Sequence, residues 1–379
     1  MSNDAPLRIV QIAPRIEPGS GVAGVAYELE RALSAAGARV ERFTLAQARG
    51  HARPPRTRIG HVWEVLWFTI SGTRRARAFL RARPDAVSIC HNDAMLGDVY
   101  VNHGLLQASM RARGNYLWRM VRNPLHLFTT GRDRIRYRGG RHRMVIALTE
   151  GEARLLRATY GAVHAPIEVI PNGVDVDRFR PPLPAERTRA RREWRIPDDD
   201  WVAVFVGHEF DRKGLPLILQ ALPQADGVHL LVVGGTTEMI RDARADAARR
   251  GVGDRVVFAG RQSDVLPALW AADALVLPSA YEANALVVLE ALACGIPVVA
   301  TAVGAAPDLI VDGRNGYVID RDVAPLAEAL RRVRDAGHGA FAQECRETAV
   351  ELSWDRIAER YLRALARVRR ERTDGRATP

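Results

Sequence analysis

Residues 201–222 read WVAVFVGHEFDRKGLPLILQAL, and this stretch indicates the fold of the chain. It opens with a continuous apolar run that ends at Gly207, which is typical of a strand buried on both faces of a parallel sheet. The basic pair Arg212 and Lys213 follows, and an apolar helical pattern begins at Leu215. A strand, a loop and a helix in this order form the repeating unit of an α/β fold.

The same alternation continues along nearly the whole chain and predicts parallel sheets with right-handed crossovers. Helical patterns fall between apolar runs, for example at Ala23–Ala36 and Ala324–Asp335. The predicted strands of the first half are Leu7–Ala13, Arg39–Thr44, Ala86–Cys90, Asp98–Asn102, Met144–Leu148 and Ile167–Ile170. Those of the second half are Trp201–Gly207, Val228–Gly234, Arg255–Ala259, Ala274–Leu277, Pro297–Ala300 and Gly316–Ile319.

The alternation breaks between Pro171 and Pro197, where prolines and a run of Arg and Glu predict a linker with a surface helix. A chain of 379 residues suits two domains. We therefore predict one domain at residues 1–170, a second at residues 171–354, and a terminal helix at residues 355–371. Ligands of doubly wound sheets bind at the carboxyl ends of the strands, so functional residues are expected in the loops after strands.

The composition is that of an ordinary globular protein, with 47% hydrophobic and 26% charged residues. No apolar run is long enough to span a membrane, and no secretory signal pattern is visible at the N-terminus. The three cysteines are widely spaced and form neither a disulfide framework nor a metal motif. A reduced, cytoplasmic setting is expected.

The net charge of +11 raises the possibility of nucleic-acid binding. However, Lys213 is the only lysine among the 55 basic residues, and this bias is explained by GC-rich codon usage that places arginine on solvated surfaces. Where arginine is the default, a lysine suggests that a compact point charge is needed. Arg212 and Lys213, next to helix N–H groups, are expected to bind a phosphate or diphosphate rather than to form a solvated basic turn.

Residues 277–290 read LPSAYEANALVVLE and place two carboxylates beside that basic pair. Glu282 lies in a loop after a strand, and Glu290 lies on the second turn of an apolar helix. A carboxylate in such a helix needs a partner, either ribose hydroxyls or a core arginine. The helix N-terminus offers further phosphate ligands, namely the amides of Asn284, Ala285, Leu286 and Val287.

In this order, these residues resemble the retaining GT-B glycosyltransferases of family 4, known for a Glu-x7-Glu motif. Pro171–Asp175 is similar to the family's interdomain signature, and Phe210–Gly214 to a loop of lipopolysaccharide-core glucosyltransferases. The resemblance covers nearly the whole chain. It implies an α/β fold of two Rossmann-like domains facing across a cleft. The first would serve the acceptor, and the second would bind a nucleotide sugar.

The resemblance also implies a role for each candidate residue. Arg212 and Lys213 would neutralise the diphosphate, which is the leaving group, while Glu290 holds the ribose and Glu282 faces the donor sugar. The donor-binding set would include Gly207 at the strand end, Arg261 near the base, and the backbone of Asn284, Ala285, Leu286 and Val287. Many members have Phe-Gly where Asn284-Ala285 stands, which leaves the identity of the sugar open.

The first half carries weaker signals. A glycine loop at residues 18–23 follows the first strand, and the resemblance implies that Gly21 closes over the phosphates. His91, Asp98 and His103 cluster in sequence, and the resemblance places His103 near the reacting carbon; the alternative is an ordinary loop histidine. Ten arginines but one acid lie between Leu105 and Arg143, with aromatic residues among them. This predicts either contact with an anionic membrane surface or a solvated helix face.

The sequence therefore predicts a retaining glycosyltransferase that moves a hexose from a UDP- or GDP-linked sugar to a hydroxyl of a glycan, a glycolipid or a small molecule. A role in cell-envelope polysaccharide synthesis follows from the resemblance. No metal or other cofactor is expected, because no aspartate-rich motif precedes the donor site. The alternatives are a nucleotide-sugar epimerase on the same architecture, a silent sugar-nucleotide sensor and a nucleic-acid-binding protein.

Overall fold

The computed structural model describes residues 6–19, 21–50 and 57–374. The chain divides into two compact units. Unit 1 contains the residues up to Gly173 and those from Trp354 onward, and unit 2 is Val174–Ser353. The division at Gly173 lies three residues beyond Ile170, the end of the first domain predicted from the sequence.

Unit 1 is built on a six-stranded parallel sheet in the order β2-β1-β3-β4-β5-β6. Its strands are β1 (Arg8–Ile12), β2 (Arg39–Phe43), β3 (Val87–His91), β4 (Val99–Val101), β5 (Met144–Ala147) and β6 (Ile167–Val169). β3, β4 and β5 are buried along their whole length, as expected for continuous apolar strands covered on both faces.

The helices of unit 1 include Gly21–Ala35, Leu45–Arg49, Arg58–Trp67, Thr73–Arg81, Leu106–Ala112, Tyr116–Arg122, Pro124–Arg138, Glu150–Tyr160 and Trp354–Asp374, with a π-helical segment at Phe68–Gly72. The last helix packs against Gly21–Ala35. Its Arg372 donates hydrogen bonds to the carbonyls of Pro84 and Ala86, which holds the end of this helix beside the sheet.

Unit 2 has a second six-stranded parallel sheet, in the order β12-β11-β10-β7-β8-β9. Its strands are β7 (Trp201–Val206), β8 (Val228–Val233), β9 (Val256–Gly260), β10 (Ala274–Leu277), β11 (Val298–Thr301) and β12 (Gly316–Ile319). Its helices include Pro184–Glu193, Phe210–Lys213, Leu215–Ala221, Thr237–Arg249, Leu266–Ala271, Leu286–Ala293, Ala306–Leu309, Val323–Ala336 and Ala342–Val350, with 3-10 turns at Leu222–Gln224 and Gly253–Arg255.

Every strand predicted from the sequence is present, and each end differs by at most one residue. In both sheets the strand order reverses beside the first strand of the unit. β1 lies between β2 and β3, and β7 lies between β8 and β10. A crevice forms at the carboxyl ends of the strands on either side of such a reversal, and ligands bind there. The loops after β7 and β10, and after β1 and β3, are therefore the positions to examine.

The segment between Pro171 and Pro197 differs from the predicted linker with a surface helix. Helix Pro184–Glu193 packs against Leu266–Ala271, and the side chain of Arg191 is 1% exposed. Arg191 bonds to Asp273 at 2.9 Å and to the carbonyls of Pro197, Asp198 and Asp200. The guanidinium satisfies several buried acceptors at once, so this helix is an integral part of unit 2.

Candidate active site

The basic pair and one carboxylate of unit 2 meet at the reversal point of its sheet. Lys213 Nζ lies 3.0 Å from Glu282 Oε1, and Arg212 Nη1 lies 3.2 Å from the same oxygen. Ser279 Oγ donates a third hydrogen bond to this atom, at 2.9 Å. β7 and β10 are neighbours, so the loops that carry these side chains are adjacent. The resulting cluster combines two cations with one carboxylate.

Glycines give the cluster its shape. A Cβ on Gly207 would overlap the Cδ of Lys213, so the lysine stem passes over the end of β7 only because this residue has no side chain. Gly214 has a φ of +88°, and a Cβ there would overlap the carbonyl of Pro278. Each glycine therefore permits a close approach that any other residue would block.

The sequence suggested that Arg212 and Lys213 lie at the start of the helix Leu215–Ala221, but in the structure they precede it. They belong to a short helical turn, Phe210–Lys213, which ends at Gly214 before Leu215–Ala221 begins. The left-handed conformation of Gly214 separates the two helices. Arg212 is held in this turn by Glu209 and by the carbonyl of Tyr281, so its guanidinium is oriented by several partners.

Glu290 lies on helix Leu286–Ala293, where Val287, Val288, Leu289, Ala291, Leu292 and Ala293 are all buried. Its carboxylate forms no hydrogen bond or ion pair with any part of the chain that the structure describes. The predicted alternative of a core arginine is therefore not observed. Arg178 interacts with Glu290 only electrostatically, and its ion-pair partner is Asp264, at 2.8 Å. Burial raises the pKa of Glu290 to about 7.

The loop before this helix presents unpaired polar groups. The helix begins at Leu286 with Ala285 as its N-cap, so Asn284 and Ala285 precede it rather than forming its first turn. Among described residues, no acceptor receives a hydrogen bond from the amides of Asn284, Ala285, Leu286 or Val287. The side-chain Nδ2 and Oδ1 of Asn284 are buried, and both lack a partner in the described structure. A buried amide without partners costs roughly 1–3 kcal/mol, so a ligand at this loop would stabilise it.

Arg261 is exposed and follows the edge strand β9, at the same carboxyl edge of the sheet as the cluster. It is separated from β7 by β8, which places it to one side of Lys213. Over the described ranges, no group of three or more His, Cys, Asp or Glu side chains could hold a metal ion. The cationic side chains at this edge include Arg212, Lys213 and Arg261.

In unit 1, the glycine loop leads from β1 into helix Gly21–Ala35. Ser20, part of the predicted loop, lies outside the described residues. Gly21 has a φ of +77°, in the left-handed region, and begins the helix. Gly24 was not singled out from the sequence, but a Cβ there would overlap the carbonyl oxygen of Gly19. The loop can fold back on its helix only because residue 24 is glycine.

His103 takes part in a chain of hydrogen bonds that the sequence did not reveal. Its Nε2 lies 2.8 Å from Nδ1 of His91, and His91 Nε2 lies 2.9 Å from Oε1 of Gln11. The two imidazoles also stack, with centroids 5.1 Å apart. His103 is half-buried, whereas Gln11 and His91 are fully buried. Desolvation lowers the pKa of His103 to about 4, so this histidine is neutral at pH 7.

The grouping of Asp98 with the two histidines is wrong. Asp98 precedes β4 and His103 follows it, so they lie at opposite edges of the sheet. Asp98 accepts hydrogen bonds from the backbone and hydroxyl of Ser88 and from Arg372, which ties the last helix to the start of β3. Its role is structural.

The arginine-rich segment between Leu105 and Arg143 is only partly available to solvent. Arg132 and Arg136 are buried and pair with Asp133, so they do not face a membrane or any other partner. Helix Tyr116–Arg122 is different, because its Leu117, Trp118 and Val121 are largely exposed. None of the described helices is both long and apolar enough to cross a bilayer.

Two family models match the chain in succession. A model described as Glycosyltransferase Family 4 covers residues 19–178, and one described as Glycosyl transferases group 1 covers residues 186–350. Together they span both units, with the Glu282 and Glu290 pair inside the second. The chain is a glycosyltransferase with a Family 4 domain followed by a group 1 domain.

Curated relatives of this glycosyltransferase include proteins named D-inositol 3-phosphate glycosyltransferase. The one from Mycolicibacterium smegmatis is 34% identical over 234 residues, which are 59% of this chain and 53% of the relative. The one from Xylanimonas cellulosilytica is 31% identical over 240 residues, 60% of this chain and 58% of the relative. The match thus extends over somewhat more than half the length of these relatives.

Solved structures agree with the fold of this glycosyltransferase. A sucrose-phosphate synthase from Thermosynechococcus elongatus superposes with a TM-score of 0.75 at 20% identity, over 96% of this chain and 99% of that one. WaaG, a glycosyltransferase involved in lipopolysaccharide biosynthesis, gives a TM-score of 0.72 at 23% identity, over 93% and 98%. The predicted α/β fold with two Rossmann-like domains of the GT-B type is confirmed.

Proposed function

We propose that the chain transfers a hexose from a nucleoside diphosphate sugar to a hydroxyl group. The observation that carries the proposal is the juxtaposition of Arg212, Lys213 and Glu282 beside a carboxylate, Glu290, that has no partner in the described structure. A diphosphate needs cations and a ribose needs a carboxylate acceptor, and these two groups are joined in a nucleoside diphosphate.

In this proposal, the diphosphate binds at Arg212 and Lys213, which stabilise the charge that develops as the leaving group departs. Glu282, which pairs with both cations in the structure, would turn toward the donor sugar as the phosphates take its place. The free amides of Leu286 and Val287 supply further donors. Asn284, whose amide lacks partners among the described residues, supplies a donor and an acceptor for a hydroxyl of the sugar.

We propose that the transfer retains the anomeric configuration and needs no metal ion. Retention follows from the resemblance carried by Glu282 and Glu290. Metal independence is supported by the two adjacent side-chain cations, because these already offset the charge of a diphosphate. The sugar and its base, UDP- or GDP-linked, are the parts of the proposal that ligand screening must decide.

The proposed acceptors are glycans, glycolipids and small molecules. The names of the curated relatives add D-inositol 3-phosphate to the panel of acceptors to be tested. A lipid-linked acceptor would fit helix Tyr116–Arg122. Its exposed Leu117, Trp118 and Val121 are apolar, and Arg122 stacks over Trp118 at 4.6 Å. An aromatic residue beside arginines is suited to an anionic membrane interface, and this supports the proposal that the enzyme binds peripherally at the inner face of the cell membrane.

Two experiments test the proposal. Thermal-shift screening of UDP- and GDP-linked sugars is expected to identify one donor that raises the melting temperature. That donor, radiolabelled in the sugar, is then incubated with the protein and the acceptor panel. Label recovered in a new glycoside with the donor's anomeric configuration supports the proposal. Conversion of the donor to a different sugar nucleotide indicates an epimerase, and binding without turnover indicates a sensor; either outcome contradicts it.

A further inference from the structure

Three polar side chains of unit 1 form an unbroken line of hydrogen bonds. Gln11 lies on β1, His91 ends β3, and His103 follows β4; these three strands are adjacent in the sheet. The distances along the line are 2.9 Å from Gln11 Oε1 to His91 Nε2 and 2.8 Å from His91 Nδ1 to His103 Nε2. At its far end, the Nε2 amide nitrogen of Gln11 lies 3.1 Å from the carbonyl oxygen of Ala26.

The Ala26 carbonyl fixes the direction of every bond in the line. A carbonyl oxygen only accepts, so the NH2 group of Gln11 must face it and Oε1 must face His91. Oε1 also only accepts, which requires the proton of His91 to be on Nε2. A neutral imidazole carries one N–H, so Nδ1 of His91 is an acceptor and Nε2 of His103 must donate to it.

The reverse direction is excluded on the same grounds. Turning the Gln11 amide would set its oxygen against the Ala26 oxygen, and two acceptors would then face each other in the buried interior. Protonating both nitrogens of His91 would reverse its bond to His103, with His91 Nδ1 as the donor, but it would place a positive charge on a fully buried ring. Burial opposes that charge and lowers the pKa of His91 well below its ordinary value.

We propose that Gln11 and His91 are positioning residues that hold His103 as the Nε2–H tautomer, so that its Nδ1 accepts a hydrogen bond from a hydroxyl of the substrate. No protein donor in the described part of the chain reaches this Nδ1. The ring of His103 is partly exposed, so a ligand can approach it. A neutral nitrogen with a free lone pair selects a hydroxyl donor over a phosphate or carboxylate, which offers only acceptors at pH 7.

The line also connects His103 to the glycine loop. Ala26 belongs to helix Gly21–Ala35, which begins at the end of that loop. A movement of this helix would be transmitted to Gln11 and from there to both imidazoles. The assignment of a substrate hydroxyl to His103 rests on the proposed sugar transfer, whereas the tautomer of His103 does not.

The tautomer can be read directly from the unmodified protein. The chain has ten histidines, and long-range ¹H–¹⁵N correlation spectra of ¹⁵N-histidine-labelled protein at pH 7 distinguish protonated from unprotonated ring nitrogens. The His103 signals are assigned by their loss in His103→Asn. A protonated Nε2 and a bare Nδ1 at His103 are expected. A protonated Nδ1, or a mixture of the two tautomers, overturns the proposal whether or not the protein is active.

Two variants then test the line itself. His91→Phe removes the acceptor of His103, and Gln11→Met removes both hydrogen bonds of the amide at similar volume. In either folded variant, His103 should become a mixture of tautomers, and kcat/KM should fall about 5- to 10-fold, the equivalent of one lost hydrogen bond. An unchanged tautomer in both variants overturns the positioning role. The expected tautomer together with no transfer by the wild type contradicts only the proposed function.

Discussion

Replacing Glu290 by Gln should make the protein more stable and, at the same time, weaken its binding of nucleoside diphosphate. Glu290 lies in a helix whose other side chains from Val287 to Ala293 are buried, and its carboxylate has no hydrogen-bond or ion-pair partner in the described structure. The desolvation cost of its negative charge is therefore offset by a bound ligand and not by another group of the protein. Glutamine keeps the shape of the side chain and removes the charge.

The magnitude follows from the pKa of Glu290, which burial raises from 4.5 to about 7. At about 1.4 kcal/mol per pKa unit, full desolvation of the charge costs ~3 kcal/mol. Glu290 is half-buried, so solvent screening reduces this to about 1–2 kcal/mol. A carboxyl group with a raised pKa loses stability as the pH rises from the unfolded value of 4.5 to the folded value of about 7. The difference between variant and wild type should therefore be largest at pH 8 and small near pH 5.

Thermal melts of both proteins at pH 5 and pH 8 measure this difference, and at about 2–4 °C per kcal/mol the variant should melt several degrees higher at pH 8. Calorimetry with UDP and GDP measures binding. The wild type should bind both nucleotides more weakly below pH 7, where Glu290 is protonated, than at pH 8. At pH 8 the variant should bind them at least about tenfold more weakly than the wild type, because charge-assisted hydrogen bonds to the carboxylate are lost. A variant that is less stable at pH 8 and binds nucleotide as the wild type does would show that Glu290 is a structural ion-pair residue.

Three further predictions concern the same edge of the sheet. Lys213→Ala should lower kcat about 30- to 1,000-fold by removing ~2–4 kcal/mol of leaving-group stabilisation. Arg192→Ala, a surface control on another helix of unit 2, should leave kcat unchanged; equal rates in both variants would refute the diphosphate assignment. Gly207→Ala should lower kcat in the same direction, because the new Cβ displaces the stem of Lys213, and a wild-type rate in the folded variant would contradict that contact. Transfer should also persist in excess chelator, and activity that is lost there and restored by manganese or magnesium would show that a metal is required.

Much of the fold could be predicted from the sequence, because most strands are short apolar runs next to a glycine, a proline or a polar residue; β2, which reads RVERF, is an exception. Trp201–Val206 and Ala274–Leu277 have no competing interpretation. The proximity of Lys213 and Glu282 was also implied, since the loops after strands share one edge of a parallel sheet. Their direct ion pair was not, because it depends on β7 and β10 being neighbours.

The errors have physical causes too. Asp98 and His103 are close in sequence, but they lie at opposite ends of β4 and therefore at opposite edges of the sheet. Gln11 and His91 come from strands far apart in the chain, and only the strand order brings them together. Arg191 was interpreted as part of a solvated helix because the chain is rich in arginine, yet buried carbonyl groups in unit 2 are satisfied by this side chain.

The most direct test of the central claim, that unit 2 binds a nucleoside diphosphate sugar through Arg212, Lys213 and Glu290, is a crystal structure with the nucleoside diphosphate that binds best in the thermal-shift screen. We predict that the diphosphate contacts Lys213 Nζ and the Arg212 guanidinium, that the ribose hydroxyls donate to Glu290, and that Glu282 has left the two cations. A nucleotide bound away from Lys213, or bound there with its ribose out of reach of Glu290, would contradict the account.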